Sequence, residues 1–352
     1  MFELKITDKN LLSHWYLHDL VAQQNLKDFR LIDSILYSPS TFADARTSNS
    51  KINAPKEHLH KLVIFTEALH LQQLTQVTDS LAGYVDLAFY RVITVAGVQG
   101  FAICAYVSLK TQDNLNQQLE NTAELFSVEL CLCDSVPTLA QPGLLLMDMD
   151  STVIAVECID EIASLAGVGE QVSAVTAQAM QGKLDFAQSL RTRVACLEYA
   201  DESILQQVRD ALPLMPGVAN LIRILKTYHW KIAIASGGFS YFADYLKGRL
   251  NLDSAVANDL QIINAKLTGK VKGDIVDAQV KAQTLKNLAE KWSIAPSQTI
   301  AMGDGANDLL MMNAAALGVA LHAKPIVRQQ ADMAIRRSGL DSLLWVLAAA
   351  QR

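Results

Sequence analysis

Three short apolar runs in the second half of the chain each stop at a polar residue: GLLLMD ends at Asp148, KIAIAS at Ser236 and TIAMGD at Asp304. Unbroken apolar runs of this length, separated by stretches of helical periodicity, predict strands buried on both faces of a parallel sheet. A doubly wound α/β core sets the carboxyl ends of such strands along one edge, and ligands bind in the crevice there. Asp148, Ser236 and Asp304 are therefore expected to converge.

Between the first and second runs lies more chain than one crossover helix requires. Residues 157–214 read as several helices (DEIASLA, EQVSAVTAQAM, FAQSLRTRVACLE, ESILQQVRDAL), and Pro216 and Gly217 precede the crossover helix itself. An insertion at that point lies above the crevice, so it reads as a helical cap that excludes water and contacts substrate. Residues 255–271 read as a small hairpin turning near Asn264 and Ala265. The chain closes with LGVAL, a short strand near Ala334 and a terminal helix.

Gln141, Pro142 and Gly143 break the pattern ahead of this unit, which is expected to span 141–352. Residues 1–58 carry weak periodicity and a polar stretch, SPSTFADARTSNSKINAPKEH, and read as an N-terminal extension or linker. Residues 59–140 offer an apolar run (KLVIFT), a helix near 69–81, two strands within 92–109, a polar helix near 112–125 and SVELCLC. That order is βαββαβ, the ferredoxin-like split unit with two helices on one face of a four-stranded antiparallel sheet. Residues 92–109 are long and uncharged enough to resemble a membrane span. Gly97 and Gly100 bracket Val98 and Gln99 between β-branched and aromatic flanks, so a buried hairpin with a tight turn is the better reading.

At 352 residues the chain exceeds what one core usually holds, in keeping with two or three packed units. Its net charge of −6 and lack of a basic run argue against nucleic acid or an anionic membrane as partner. A small anionic substrate would need local positive charge. Five cysteines without framework spacing point to free thiols in a reducing compartment. Cys131 and Cys133 fit strand alternation better than metal binding, and Cys158 and Cys196 read as packing residues. The start, MFELKITDKN, has acidic residues and no long apolar stretch, so no secretory signal is expected and the cytoplasm is the expected location.

Asp148 and Asp150 stand two residues apart, which in an extended segment turns both carboxylates to one side. A divalent cation relieves that repulsion; Mg²⁺ takes hard oxygen ligands and keeps positions for phosphate and water, with Asp304 as a natural third ligand. Asp148 can then act as an ionised nucleophile while Asp150 carries the proton needed by a departing alkoxide. An isolated pair of aspartates at a strand end also serves turns and caps. A calcium loop starting at Asp148 fails, because Val153 and Ile159 stand where Gly and Glu are required. A phosphate-accepting receiver module remains the non-enzyme alternative, although it needs neither a long insertion nor a second aspartate.

In the run Gly303, Asp304, Gly305, Ala306, Asn307, Asp308, the glycines permit a tight turn that returns acidic groups to the sheet edge. Asp308 either supports the metal site and holds a neighbouring lysine or caps the following helix, and the two roles are compatible. Ser236, Gly237 and Gly238 offer a hydroxyl and backbone N–H groups suited to phosphate. Lys281 could supply the compensating charge, or face solvent as most helical lysines do.

DMDST at 148–152, SGG at 236–238, Lys281 and GDGAND at 303–308 resemble the haloacid dehalogenase superfamily of aspartate-dependent phosphatases. DMDSTVIAVECIDEIA, AMQGKLDFAQSLRTRVA, LMPG, IASGGF and GDGANDLLMM are similar to its phosphoserine-hydrolysing branch, over 142 to about 340. The resemblance implies Asp148 as nucleophile and Asp150 as general acid and then base. Ser236, Gly237, Lys281 and Asn307 would bind phosphate and substrate. Mg²⁺ would lie on the side chains of Asp148 and Asp304 and the backbone carbonyl of Asp150, with Asp308 in support. In the cap it implies Glu157 for the substrate ammonium, Arg193 for its carboxylate, and Met180 and Phe186 closing the pocket. Without the resemblance, Glu157 and Arg193 would read as surface charges, and Met180 and Phe186 as packing. The implied reaction is hydrolysis of phosphoserine, the last step of serine biosynthesis; another amino-acid phosphate is the alternative substrate. The first 140 residues depart from the minimal phosphatase, and their order resembles an ACT-like regulatory domain that could also carry a homodimer.

Overall fold

The computed structural model describes residues 4–5, 17, 28–32, 35–37, 59–133, 136–181 and 183–351. The chain divides into two compact units, one of residues 1–140 with 332–352, the other of 141–331. Most of the expected extension at 1–58 lies outside the described residues.

The described elements of the first unit begin with strands β1 (Leu4–Lys5), β2 (Asp28–Ile32) and β3 (Ile35–Tyr37). Then come β4 (His60–Phe65), helix α1 (Leu71–Leu81), β5 (Val85–Ile93), β6 (Ala102–Leu109), α2 (Leu115–Phe126) and β7 (Glu129–Leu132). The strands stand in the order β1-β3-β2-β5-β6-β4-β7, all neighbours antiparallel. Within this sheet the strands of the βαββαβ portion stand in the order β5-β6-β4-β7. Leu71, Leu74, Val77 and Leu81 recur at helical spacing and bury α1 against Leu62, Ile64, Ile103, Ala105 and Leu130 on one sheet face.

Two expectations are corrected here. The stretch read as a bare extension or linker contributes β1, β2 and β3, which lengthen the sheet beyond β5. Strands of two to five residues carry too little alternation to be seen, and beyond the local pairing of β2 with β3 their partners are remote in sequence. The hairpin over 92–109 exists, but β5 starts at Val85 and the connection spans 94–101, with Gly97 and Gly100 at φ of 83° and 84°. The turn is thus wider than expected. Among the described residues no helix is long and apolar enough to cross a membrane.

The second unit opens with β8 (Leu144–Met147), followed by α3 (Cys158–Leu165), α4 (Gly169–Met180), α5 (Phe186–Ala195) and α6 (Ser203–Asp210). The crossover helix α7 (Val218–Thr227) leads to β9 (Lys231–Phe239), α8 (Ser240–Leu250), and the hairpin of β10 (Ser254–Ile263) and β11 (Lys266–Lys272). The hairpin turns at Asn264 and Ala265, both at positive φ, as a two-residue turn between right-twisted strands demands. Then follow α9 (Ala278–Lys291), β12 (Thr299–Gly303), α10 (Leu309–Ala314), β13 (Leu317–Leu321) and α11 (Pro325–Arg328).

Within this unit the strands run β11-β10-β9-β8-β12-β13, with β8 parallel to both β9 and β12. Every residue of β8 is fully buried, as are residues 232–235 of β9 and Ile300, Ala301 and Met302 of β12. The chain leaves β8 for β9 on one side and reaches β12 on the other, so the crevice of a doubly wound sheet opens at the carboxyl end of β8.

Residues 332–352, expected to finish the α/β unit, group instead with the first one. They form β14 (Met333–Ile335) and α12 (Leu343–Ala349). Trp345 packs edge-on to Phe65 at 5.5 Å, Lys61 donates to the carbonyls of Ala349 and Gln351, and Arg336 pairs with Glu120 and Glu129. Each of those partners is some two hundred residues or more away, beyond the reach of local periodicity.

Candidate active site

A cavity of about 210 Å³ opens at the end of β8, lined by Asp148, Asp150, Glu157, Phe186, Arg193, Ser236, Gly237, Asp304 and Asn307 among others. Asp148 follows β8 directly, and its backbone N–H still donates to Met302 of β12, so the ladder holds the residue in place. The Met149 N–H binds its Oδ1 at 2.7 Å, and Lys281 Nζ lies 2.8 Å from its Oδ2.

The geometry relating Asp148 to Asp150 differs from that expected. The strand ends at Met147, and the carbonyl of Met149 accepts N–H bonds from Thr152, Val153 and Ile154, while Ser151 adopts φ of 54°. A tight turn, rather than strand alternation, turns Asp150 to the cavity. Its Oδ1 accepts the Cys158 N–H, the first residue of α3, at 3.0 Å. Burial, then the charges of Glu157 and Asp148, push its carboxyl up to about 7, so it holds a proton near neutrality.

Lys281 is 1% exposed and bridges Asp148 and Asp308, each at 2.8 Å. Burial opposes its charge, but the two carboxylates outweigh that and raise its pKa above the ordinary lysine value. The solvent-facing alternative is excluded. Asp308 is itself fully buried; its Oδ1 takes Lys281 and its Oδ2 the Gly305 N–H at 3.1 Å. It also stands immediately before α10.

Ligand oxygens of Asp148, Asp304 and Asp308 lie within 4.8 Å of one another. Asp304 is pushed up to about 7 by burial, then by Asp148 and Glu157. Three carboxylates against one ammonium leave an excess of negative charge in a closed space, which is the donor set a hard cation requires. Asp148 and Asp304 line the cavity and the fully buried Asp308 does not, so an entering cation would meet the first two. Thr152 Oγ1 reaches Asp304 Oδ1 at 3.5 Å.

Ser236 is buried near the end of β9, and its Oγ accepts the Gly238 N–H at 2.9 Å. One of the two N–H groups expected to meet phosphate is therefore engaged within the loop. A Cβ on Gly237 would come within 2.5 Å of Phe186 Cζ, so the ring at the start of α5 packs directly on this backbone. Asp185 fixes that start by accepting the Gln188 N–H at 2.7 Å in a capping box.

Glu157 caps α3 in sequence and receives the Ser151 hydroxyl at 2.7 Å; partial enclosure, with Asp148 and Asp160 adding to it, raises its pKa despite that bond and nearby Arg193. Arg193 is half-buried, and its Nε is enclosed with no hydrogen-bond partner. Met180 ends α4, and its side chain lies outside the described residues. The cavity also brings in Ile159, Leu190, Gly238 and Phe239. Apolar residues on helices gave no sign of that role, because Ile159 and Leu190 read equally well as packing.

The carboxylates at the end of β8, the serine after β9 and the aspartate after β12 define a hydrolase of the haloacid dehalogenase type, and residues 143–316 match the haloacid dehalogenase-like hydrolase family. The chain is 59% identical to the phosphoserine phosphatase of Haemophilus influenzae, over 64% of this chain and 72% of that one. It superposes on the unliganded crystal structure of the probable phosphoserine phosphatase from Vibrio cholerae with a TM-score of 0.72, at 43% identity, covering 88% and 92% of the two chains. The phospho-aspartyl intermediate analogue of phosphoserine phosphatase matches at a TM-score of 0.55 and 39% identity, over 58% of this chain and 98% of the other. The chain belongs to the phosphoserine phosphatase family within that superfamily. The receiver alternative falls with this membership.

Proposed function

We propose that this chain hydrolyses O-phospho-L-serine to L-serine and phosphate through an aspartyl phosphate on Asp148, as the last step of serine biosynthesis in the cytoplasm. The names of its relatives support the substrate, and the site supports the chemistry. Asp148 is the nucleophile: the Met149 N–H and Lys281 orient its carboxylate at the cavity wall. Ser236, the Gly237 backbone, Lys281 and Asn307 hold the phosphoryl group. Asp150 donates its proton to the serine alkoxide as the P–O bond breaks, then takes a proton from the water that attacks the aspartyl phosphate. Its raised pKa suits both steps.

Mg²⁺ would be held by Asp148, Asp304 and the Asp150 carbonyl, with Asp308 in support. When bound, it would neutralise charge on the transferring phosphoryl oxygens. Phe186 shields the site, the resemblance assigns the same task to Met180, and Glu157 receives the substrate ammonium.

One observation carries the substrate assignment. The Arg193 Nε faces a closed environment without an acceptor, and a buried donor left unpaired costs about 1–3 kcal/mol. A substrate carboxylate supplies the missing acceptor, and the guanidinium fork can take it in two bonds. The first unit is proposed to be an ACT-like module, supported by its βαββαβ order.

The test is phosphate release from phosphoserine, phosphothreonine and a sugar phosphate, with Mg²⁺ and with EDTA, in wild type, Asp148→Asn and Arg193→Ala. Metal-dependent preference for phosphoserine is expected, abolished by Asp148→Asn and flattened by Arg193→Ala. Equal rates on all three substrates in the wild type would withdraw the substrate, and activity in Asp148→Asn would withdraw the mechanism.

A further inference from the structure

We infer that Asn258 is a positioning residue that locks the two phosphate-binding arms of the site together; this rests on the reading of Ser236, Gly237 and Lys281 as phosphate ligands. Asn258 lies in β10 and is 1% exposed. Nothing in the catalytic motifs points to it. Its Nδ2 donates to the Gly237 carbonyl at 2.8 Å, and its Oδ1 accepts the Val276 N–H at 2.8 Å. The two partners fix the amide's orientation, since the flipped side chain would set donor against donor and acceptor against acceptor.

The first bond governs the hydroxyl of Ser236. The Gly237 carbonyl and the Gly238 N–H belong to one planar peptide. Asn258 holds its oxygen, and Ser236 Oγ accepts its N–H at 2.9 Å. With the peptide fixed at both ends, the serine oxygen is committed as an acceptor there, and its own proton is left to point at an incoming phosphate oxygen. The β9–β10 ladder slips between Val256 and Asn258, and at that slip the side chain, rather than the strand backbone, bonds the Gly237 carbonyl.

The second bond governs Lys281. Val276 precedes Asp277, whose carboxylate caps α9 by accepting the Val280 N–H at 2.9 Å, and whose carbonyl accepts the Lys281 N–H at 2.9 Å. Holding Val276 sets where α9 begins, and Lys281 lies in its first turns. One buried amide therefore joins the segment presenting Ser236 to the segment presenting Lys281. Hydrogen bonds made to both sides of a buried amide leave two groups orphaned when it is removed.

The experiment measures kcat, KM and competitive inhibition by inorganic phosphate and by L-serine in wild type, Asn258→Ala and Asn258→Asp. Asn258→Asp keeps the acceptor for Val276 and loses the donor to Gly237. Phosphate inhibition is expected to weaken about tenfold in Asn258→Asp, and more in Asn258→Ala, with L-serine inhibition unchanged. A merely structural role would lower the folded fraction and the apparent kcat alone. Unchanged phosphate inhibition in folded variants, or parallel weakening of phosphate and serine, overturns the inference. If neither variant accumulates, hydrogen exchange on the wild type decides: phosphate should slow the amides of Gly238 and Val276 together, and independent rates overturn the coupling. Wild type that ignores phosphoserine but hydrolyses another phosphomonoester sinks the proposed substrate alone, because the phosphate readout still tests Asn258.

Discussion

Lys281 Nζ lies 2.8 Å from Asp148 Oδ2 in a space where the lysine is 1% exposed, and the same ammonium holds Asp308. A buried charge is tolerated only with its partners in place. The lysine thus acts on stability and on the orientation of the attacking carboxylate at once.

Lys281→Met should lower stability by about 3–5 kcal/mol, the usual result of stranding buried carboxylates, and reduce kcat sharply in the folded fraction. Denaturant unfolding and active-site-normalised rates read the two effects separately. A variant as stable as wild type would show that the ion pair is not what keeps these groups buried.

The raised pKa of Asp150 sets a pH dependence with a defined sign. Its acid form is populated below about 7, so aspartyl-phosphate formation should be fast there and slow as pH rises through that value. In Asp150→Asn the single-turnover rate should be lower by roughly 10²–10⁴-fold and should lack that limb. Rapid-quench measurement across pH 5 to 9, roughly two units either side of that value, checks both.

Gly238→Ala should damage catalysis without unfolding the chain. A Cβ there would meet Asp150 Oδ2 at 2.5 Å and Met149 Cε at 2.8 Å, forcing the acid out of place. A kcat loss on the order of 100-fold is expected. Gly248→Ala is the contrast, because nothing lies within 4 Å of a Cβ at that exposed position inside α8. Stability should rise by about 1 kcal/mol there, with kcat unchanged.

Arg336→Met should weaken the first unit selectively. Arg336 is paired with Glu120 and Glu129, and Glu129, 3% exposed, also accepts the backbone N–H groups of Arg336 and Arg337 at 2.8 and 2.9 Å. A loss of about 3 kcal/mol is expected in the stability of that unit. Activity per folded molecule should persist, since the cavity residues all belong to the second unit. Hydrogen exchange at the amides of the first unit and loss of activity should then give separate transitions.

Much of the site was legible because parallel strands buried on both faces leave continuous apolar runs, and the polar residue ending each run marks the sheet edge. The cap helices were legible from periodicity and length. Lys281 was legible only through the resemblance: by itself a lysine inside a helix reads equally as solvent-facing, and its burial follows from two carboxylates delivered by β8 and by the turn after β12. Asn258 left no mark either, because an asparagine in a strand has no meaning until Gly237 and Val276 stand beside it.

The spacing of apolar runs and acidic residues by itself determined the α/β core, the inserted helices, and which strand ends carry Asp148, Ser236 and Asp304. Only the tertiary structure decided that a turn rather than a strand presents Asp150, that Arg193 keeps a buried donor open, and that residues 332–352 join the first unit. The division has a physical cause. Local periodicity records which face of an element is buried, whereas charge, proton affinity and long-range pairing depend on groups that meet only after the chain has folded.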